Sequence, residues 1–219
     1  MLILLNILKC FELLACLVGF FYFKKLKNTY WAVFPFYLLF IVLAEYLGGY
    51  LRRHNMLVTA SHFYNYFEIP VEFLFGFWLF YKAFKGTKYK WLPLVCTIIY
   101  LCSWAIDNLY LIGTQLASYS FSYSVANLVM LVLLLCFFMR LVFTDAILTF
   151  RENMMFWVCL GMFIYYVGCF PYYGLRNTLA VNYPLLYMKY SYLEYILNCT
   201  MYLLFTFSFI WGKPNTRSL

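Results

Sequence analysis

HFYNYFEIPVEFLFGFWLFY, residues 62–81, is apolar almost throughout. About 20 apolar residues are what an α-helix needs to cross a bilayer core. The stretch also carries Glu68 and Glu72, spaced i and i+4 and so on one helix face. A carboxylate in hydrocarbon is costly, and such residues turn toward a bundle interior or a wet cavity. The stretch therefore predicts a membrane span with an acidic face turned inward. That decides the fold class: an all-α, polytopic integral membrane protein.

The same length rule gives seven spans, over about 2–23, 30–50, 58–81, 91–112, 119–143, 154–173 and 185–211. Of the 219 residues, 66% are hydrophobic and 11% charged, and mean hydropathy is +0.80. That lies far outside soluble composition. No stretch is polar enough for a second domain, so 1–219 reads as a single seven-helix transmembrane domain. A net charge of +8 would suggest nucleic acid in a soluble protein. Here the basic residues sit mostly between apolar spans, so the lipid bilayer is the expected partner and nucleic acid is not.

Those basic residues also set an orientation. Eleven follow spans 1, 3, 5 and 7, at Lys24, Lys25, Lys27, Lys82, Lys85, Lys88, Lys90, Arg140, Arg151, Lys213 and Arg217. Four lie on the other side, at Arg52, Arg53, Arg176 and Lys189. The positive-inside rule then puts the N-terminus outside and the C-terminus in the cytoplasm, in a multi-pass protein of the inner (plasma) membrane. Arg52 and Arg53 are discordant with that rule. Trp31, Trp91, Trp157 and Trp211 fall near the cytoplasmic ends, where interfacial belts form. The remaining aromatic residues read as packing or lipid-facing groups.

Much chemistry is excluded. The eight Cys all lie in apolar segments, no CxxC pair occurs, and there are two His, so neither a disulfide scaffold nor a metal site is expected. No nucleophile elbow, H-E-x-x-H pair or Gly-rich phosphate loop appears, and no cofactor is expected. Lys189 stands only a few residues into span 7, too shallow for a Schiff-base lysine. Glu12 interrupts the first apolar run, and no basic segment precedes it, so that run reads as helix 1 rather than a cleaved signal, despite a lipoprotein-like Leu13-Leu14-Ala15-Cys16. No signalling domain is attached, so any signalling output would need a separate cytoplasmic partner.

Two spans share a pattern that reads either as an internal repeat or as coincidence in a Tyr-rich chain. Tyr64-Asn65-Tyr66-Phe67-Glu68 in span 3 matches Tyr190-Ser191-Tyr192-Leu193-Glu194 in span 7, and Asn198 takes the place of Glu72. With span 4 as linker this gives a 3+1+3 plan of parallel repeats. The plan resembles that of the SWEET and PQ-loop transporter group, whose naming Pro-Gln dipeptide is absent here. The chain also resembles an uncharacterised class of short bacterial seven-helix inner-membrane proteins. Tyr64 to Phe73, and Phe156-Trp157 through Gly161 to Tyr165-Tyr166, carry that likeness, which implies no activity.

Intramembrane polar residues mark the expected site. Glu12, Glu68 and Glu194 each lie about ten residues into a span that starts outside, roughly 15 Å deep at 1.5 Å per residue. Glu72 is one turn deeper, while Glu45 and Asp107 sit toward the outer surface. Ser61, Tyr64, Asn65, Glu68 and Glu72 share one face of span 3, and Tyr187, Ser191, Glu194 and Asn198 one face of span 7. Lys9 and Glu12, at i and i+3, are placed to neutralise each other. Arg52, Arg53, His62, Arg176 and Lys189 surround the mouth. Pro70 frees the carbonyl of Tyr66 between the two Glu of span 3. The expectation is an acidic polar cavity open to the outside. Its ligand-binding residues are Glu68, Glu194, Glu72, Asn65, Tyr64, Ser191, Asn198 and Glu12, and they take a small polar or cationic solute, or protons, as a transporter or binding protein would. Two alternatives stand beside it: a receptor or sensor module, and a lipid-modifying enzyme using Glu68 and Glu72 as acid and base. In all three readings the carboxylates can instead be structural.

Overall fold

A computed structural model describes residues 2–110 and 121–214, which are helical almost throughout and contain no strand. The helices are α1 (Leu2–Phe21), a single turn α2 (Phe23–Leu26), α3 (Val33–Arg53), α4 (Leu57–Phe63), α5 (Ile69–Ala83), α6 (Leu92–Tyr110), α7 (Phe121–Val142), α8 (Met154–Asn182) and α9 (Pro184–Trp211). The end of the fourth expected span and the start of the fifth, 111–112 and 119–120, lie outside the described residues. Six helices are long and apolar enough to cross a membrane: α1, α3, α6, α7, α8 and α9. That makes the chain a multi-pass helical membrane protein. Its surface agrees, since large apolar side chains such as Phe21, Phe143 and Leu185 are more than three-quarters exposed. Apolar surface on that scale belongs against lipid.

The third expected span, 58–81, is not one α-helix. It runs as α4, then a π-turn over Tyr64–Glu68, then α5, with the Ile69 amide donating back to the Tyr64 carbonyl. Pro70 gives the physical reason. Its ring would clash with the carbonyl four residues back, and a turn closed i to i+5 is wider there. The extra residue in that turn shifts the helical phase, by up to 100° per residue, of everything after it.

Successive long helices pack on one another, α3 meeting the composite helix through α4 and the π-turn, and α9 closes on α1, so the bundle is a ring in chain order. The tightest pair is α8 with α9. Gly161 permits it: a Cβ there would lie 3.1 Å from the Met201 carbonyl oxygen and 3.3 Å from Leu204 Cβ. Small residues serve this purpose in membrane bundles, where backbones must approach closely. The α8 helix continues past its expected end at 173 to Asn182, through Pro171, so Arg176 is helical rather than in a loop. Asn55, between α3 and α4, takes the left-handed conformation that Asn tolerates.

Two aromatic hubs fill the interior. Phe34 of α3 stacks on Phe75 of α5 at 5.7 Å and meets Phe205 and Phe209 of α9 at 5.3 Å. Phe73 of α5 meets Tyr100 of α6, Tyr123 of α7 and Tyr166 of α8, at 5.4, 5.4 and 6.0 Å. At the end of the bundle away from the α8–α9 turn, Lys25 donates to the Phe209 carbonyl (3.2 Å), and Lys213 pairs with Glu152 (2.6 Å). Both contacts pin loops against that end.

Candidate functional site

At the other end, where α3 gives way to α4 and α8 to α9, the ring encloses a cavity of about 310 Å³. Five charged side chains line it: Lys9, Glu45, Arg52, Arg176 and Glu194. Ser61, Tyr64, Tyr195 and Asn198 complete the polar part of the wall.

One wall is built on α3 and the start of the composite helix. Glu45 and Arg52 lie seven residues apart, two turns on one face of α3, and pair at 3.9 Å. The Tyr64 hydroxyl donates to Glu45 Oε2 (3.2 Å) and accepts from Arg52, whose guanidinium also covers the Tyr64 ring at 4.9 Å. Gly48 makes room for that ring, since a Cβ there would lie 2.6 Å from Tyr64 Cζ. The facing wall is built on α8 and α9. Glu194 accepts from the Tyr173 hydroxyl, which lies 3.2 Å from the Tyr165 hydroxyl, and Tyr123 of α7 hydrogen-bonds with both tyrosines. Arg176 donates to the Tyr187 hydroxyl (3.4 Å) and lies over the Tyr172 ring. Buried deeper, Asn198 Oδ1 has no hydrogen-bond partner among the described residues.

The expected residues divide. Glu194, Tyr64, Asn198, Arg52 and Arg176 line the cavity. Ser191 instead bonds Tyr172 (3.0 Å), and Asn65 offers its backbone carbonyl to Trp104 (3.3 Å). Glu68 is buried outside the lining, with Oε2 unpartnered among the described residues. Glu72 accepts from Tyr166 (3.3 Å) beside a second cavity of about 20 Å³, also lined by Tyr37 and Phe75. That space holds about one water. Glu12 is buried, and His62, Lys189 and Arg53 are exposed and outside the lining. The face expected to carry Ser61, Tyr64, Asn65, Glu68 and Glu72 is therefore divided by the π-turn: Ser61 and Tyr64 reach the cavity and the rest do not.

The structure adds three details to that reading. Lys9 does not ion-pair with Glu12; it crosses to α3, donating to the Glu45 carbonyl (3.4 Å) and covering the Tyr46 ring. Glu45 is part of the cavity wall. The doublets Tyr165-Tyr166 and Tyr172-Tyr173, one heptad apart on α8, form a spine of hydroxyls: Tyr165 and Tyr173 stand behind Glu194, Tyr172 meets Ser191 and Tyr166 meets Glu72. Asp107 has a structural place, accepting from the backbone amide of Ser122 (2.6 Å) at the start of α7. Glu12, Glu45, Glu68 and Glu72 lie within electrostatic reach of one another, with Lys9 and Arg52 as counter-charges. Among the described residues no group of three His, Cys, Asp or Glu side chains stands close enough to hold a metal ion.

Comparison with family models, curated proteins and solved structures found no match.

Proposed function

We propose that the chain crosses the membrane seven times, with the composite helix 57–83 as the third crossing, its N-terminus outside and its C-terminus in the cytoplasm. In that orientation the 310 Å³ cavity opens outside, and it binds a small polar solute for transport. The observation that carries this reading is the cavity itself: five charged side chains converging on one water-accessible space in a largely apolar ring. Charges in a bilayer are costly, and they gather where a substrate or ion path needs them. A volume of this size is at the lower end of small-molecule pockets, about 300–1,000 Å³. The inner half of the ring supports an outward-open state, because the hubs around Phe34 and Phe73 fill the space between the cavity and the cytoplasmic end.

The same closed inner half favours a second reading. A pocket that never opens inward is a sensor's pocket, and a separate cytoplasmic protein would then receive the signal.

Two-sided labelling separates the two. In a cysteine-free background, single cysteines at Ser61, Glu194 and Asn198 are probed with a membrane-impermeant thiol reagent from each face of a sealed vesicle. Modification from both faces means an alternating site, and the transporter reading leads. Modification from outside alone removes transport and leaves the sensor. If neither face gives any modification, the charged groups are sealed in packing and both readings fall.

A further inference from the structure

The cavity is not simply acidic. Three cations, Lys9, Arg52 and Arg176, stand against two carboxylates, Glu45 and Glu194. A site for a plain cation has no use for three basic side chains, because each repels the ligand. A site for a plain anion has no use for Glu194. The groups are also sorted by depth. Arg52 is in the last turn of α3 and Arg176 near the end of α8, both at the mouth. Glu194 lies about three turns into α9 and Asn198 one turn further, on the same face. Asn198 lines this inner region, and its Oδ1 is a buried acceptor with no partner among the described residues. A buried acceptor without a donor is expensive, at about 1–3 kcal/mol, and a ligand that brings a donor recovers that loss.

The geometry points to a zwitterionic ligand of free-amino-acid size. Its ammonium lies inward on Glu194 and Asn198, and its oxyanion faces outward to Arg52 and Arg176. This rests on the reading of the cavity as a solute site. Each end of the ligand meets two groups of opposite or complementary character, so neither charge alone satisfies the site. The same pair of charges occurs on a phosphatidylethanolamine headgroup, and the test distinguishes that source.

The full chain, cysteine-free except for Ser61→Cys, is placed in nanodiscs of phosphatidylcholine and phosphatidylglycerol. Labelling of that cysteine is timed against three series: free α-amino acids, their methyl esters, and the matching acids without the amine. At least one amino acid should slow labelling, with its ester and its deaminated acid at least tenfold weaker. Asn198→Ala, which leaves every charge in place, should weaken that amino acid about tenfold. Equal protection by an ester or a deaminated acid would overturn the zwitterion while leaving a solute site. Labelling slowed by none of the compounds would overturn both. Labelling blocked only in discs containing phosphatidylethanolamine would overturn the free solute and assign the site to a lipid headgroup.

Discussion

Gly48→Ala should weaken ligand binding while leaving the fold intact. The added Cβ would stand 2.6 Å from Tyr64 Cζ and 2.7 Å from Cε2. Carbon atoms rest comfortably at about 3.5–4.0 Å, so the ring must retreat by about 1 Å. The Tyr64 hydroxyl, now 3.2 Å from Glu45 Oε2, then leaves hydrogen-bond range and releases Arg52 as well. Hydrogen bonds to charged groups contribute about 1.5–3 kcal/mol. Arg52 and Glu45 side chains are 47% and 24% exposed, so the lower part of that range applies. About 1.5–2 kcal/mol is a 10- to 30-fold loss of affinity. Stability should barely change, because Ala in a helix interior gains about 1 kcal/mol over Gly and offsets the lost contacts. The assay is protection of the Ser61→Cys label, titrated with the amino acid that protects best, beside a thermal unfolding curve. Tyr64→Phe alone should lose a similar amount, and the double variant no more than either, since both remove one interaction. Wild-type affinity in Gly48→Ala, or losses that multiply in the double variant, would refute the account of this wall.

Three further substitutions probe the rest of the bundle. Tyr173→Phe removes the donor to Glu194 and should cost about tenfold in ligand affinity, with the ligand-free labelling rate unchanged; unaltered protection would detach the tyrosine spine from the site. Gly161→Val must push α8 from α9, because a Cβ there already meets the Met201 carbonyl at 3.1 Å, and should destabilise by about 1–3 kcal/mol in detergent unfolding, whereas an unshifted curve would mean that the helices are not closely apposed. Asp107→Ala removes the acceptor for the Ser122 amide, so unfolding should come about 0.5–2 kcal/mol sooner with ligand affinity untouched; a change in affinity would give Asp107 a place in the site.

Composition and span length were enough to read a helical membrane protein, because burying about 20 residues of backbone in lipid leaves a plain apolar signature. Glu194 and Asn198 were legible for a similar reason: a polar side chain inside such a span is conspicuous. The spacing of Arg52 and Arg176 near the ends of spans placed them at the mouth. Glu68, Glu72 and Asn65 were misplaced because a 3.6-residue period was carried through Pro70 unchanged. The sequence shows that Pro70 must disturb the helix, but whether by a kink or a π-turn depends on what packs around it. The contacts of Lys9 with α3 were not legible, since a helix shows its own i, i+3 partner and hides a neighbour on another helix. The bonding of the α8 tyrosines was not legible for a statistical reason, in a chain with 23 Tyr and 25 Phe.

The π-turn links these errors to the function. It gives one helix two polar faces: Tyr64 looks into the cavity, and Glu72, beyond the turn, looks toward Tyr166. Phe73 and its ring partners stand next to Glu72, so the aromatic core separates the cavity from the small space beside that carboxylate. Polar groups approach across this core from α8, where Tyr173 reaches Glu194 and Tyr166, seven residues earlier, reaches Glu72. The two carboxylates are thus held by one helix, two turns apart. A movement of α8 along its axis must disturb both together, whereas a movement of α9 alone disturbs only Glu194. If the site opens inward, α8 is therefore the element whose displacement carries the change across the core.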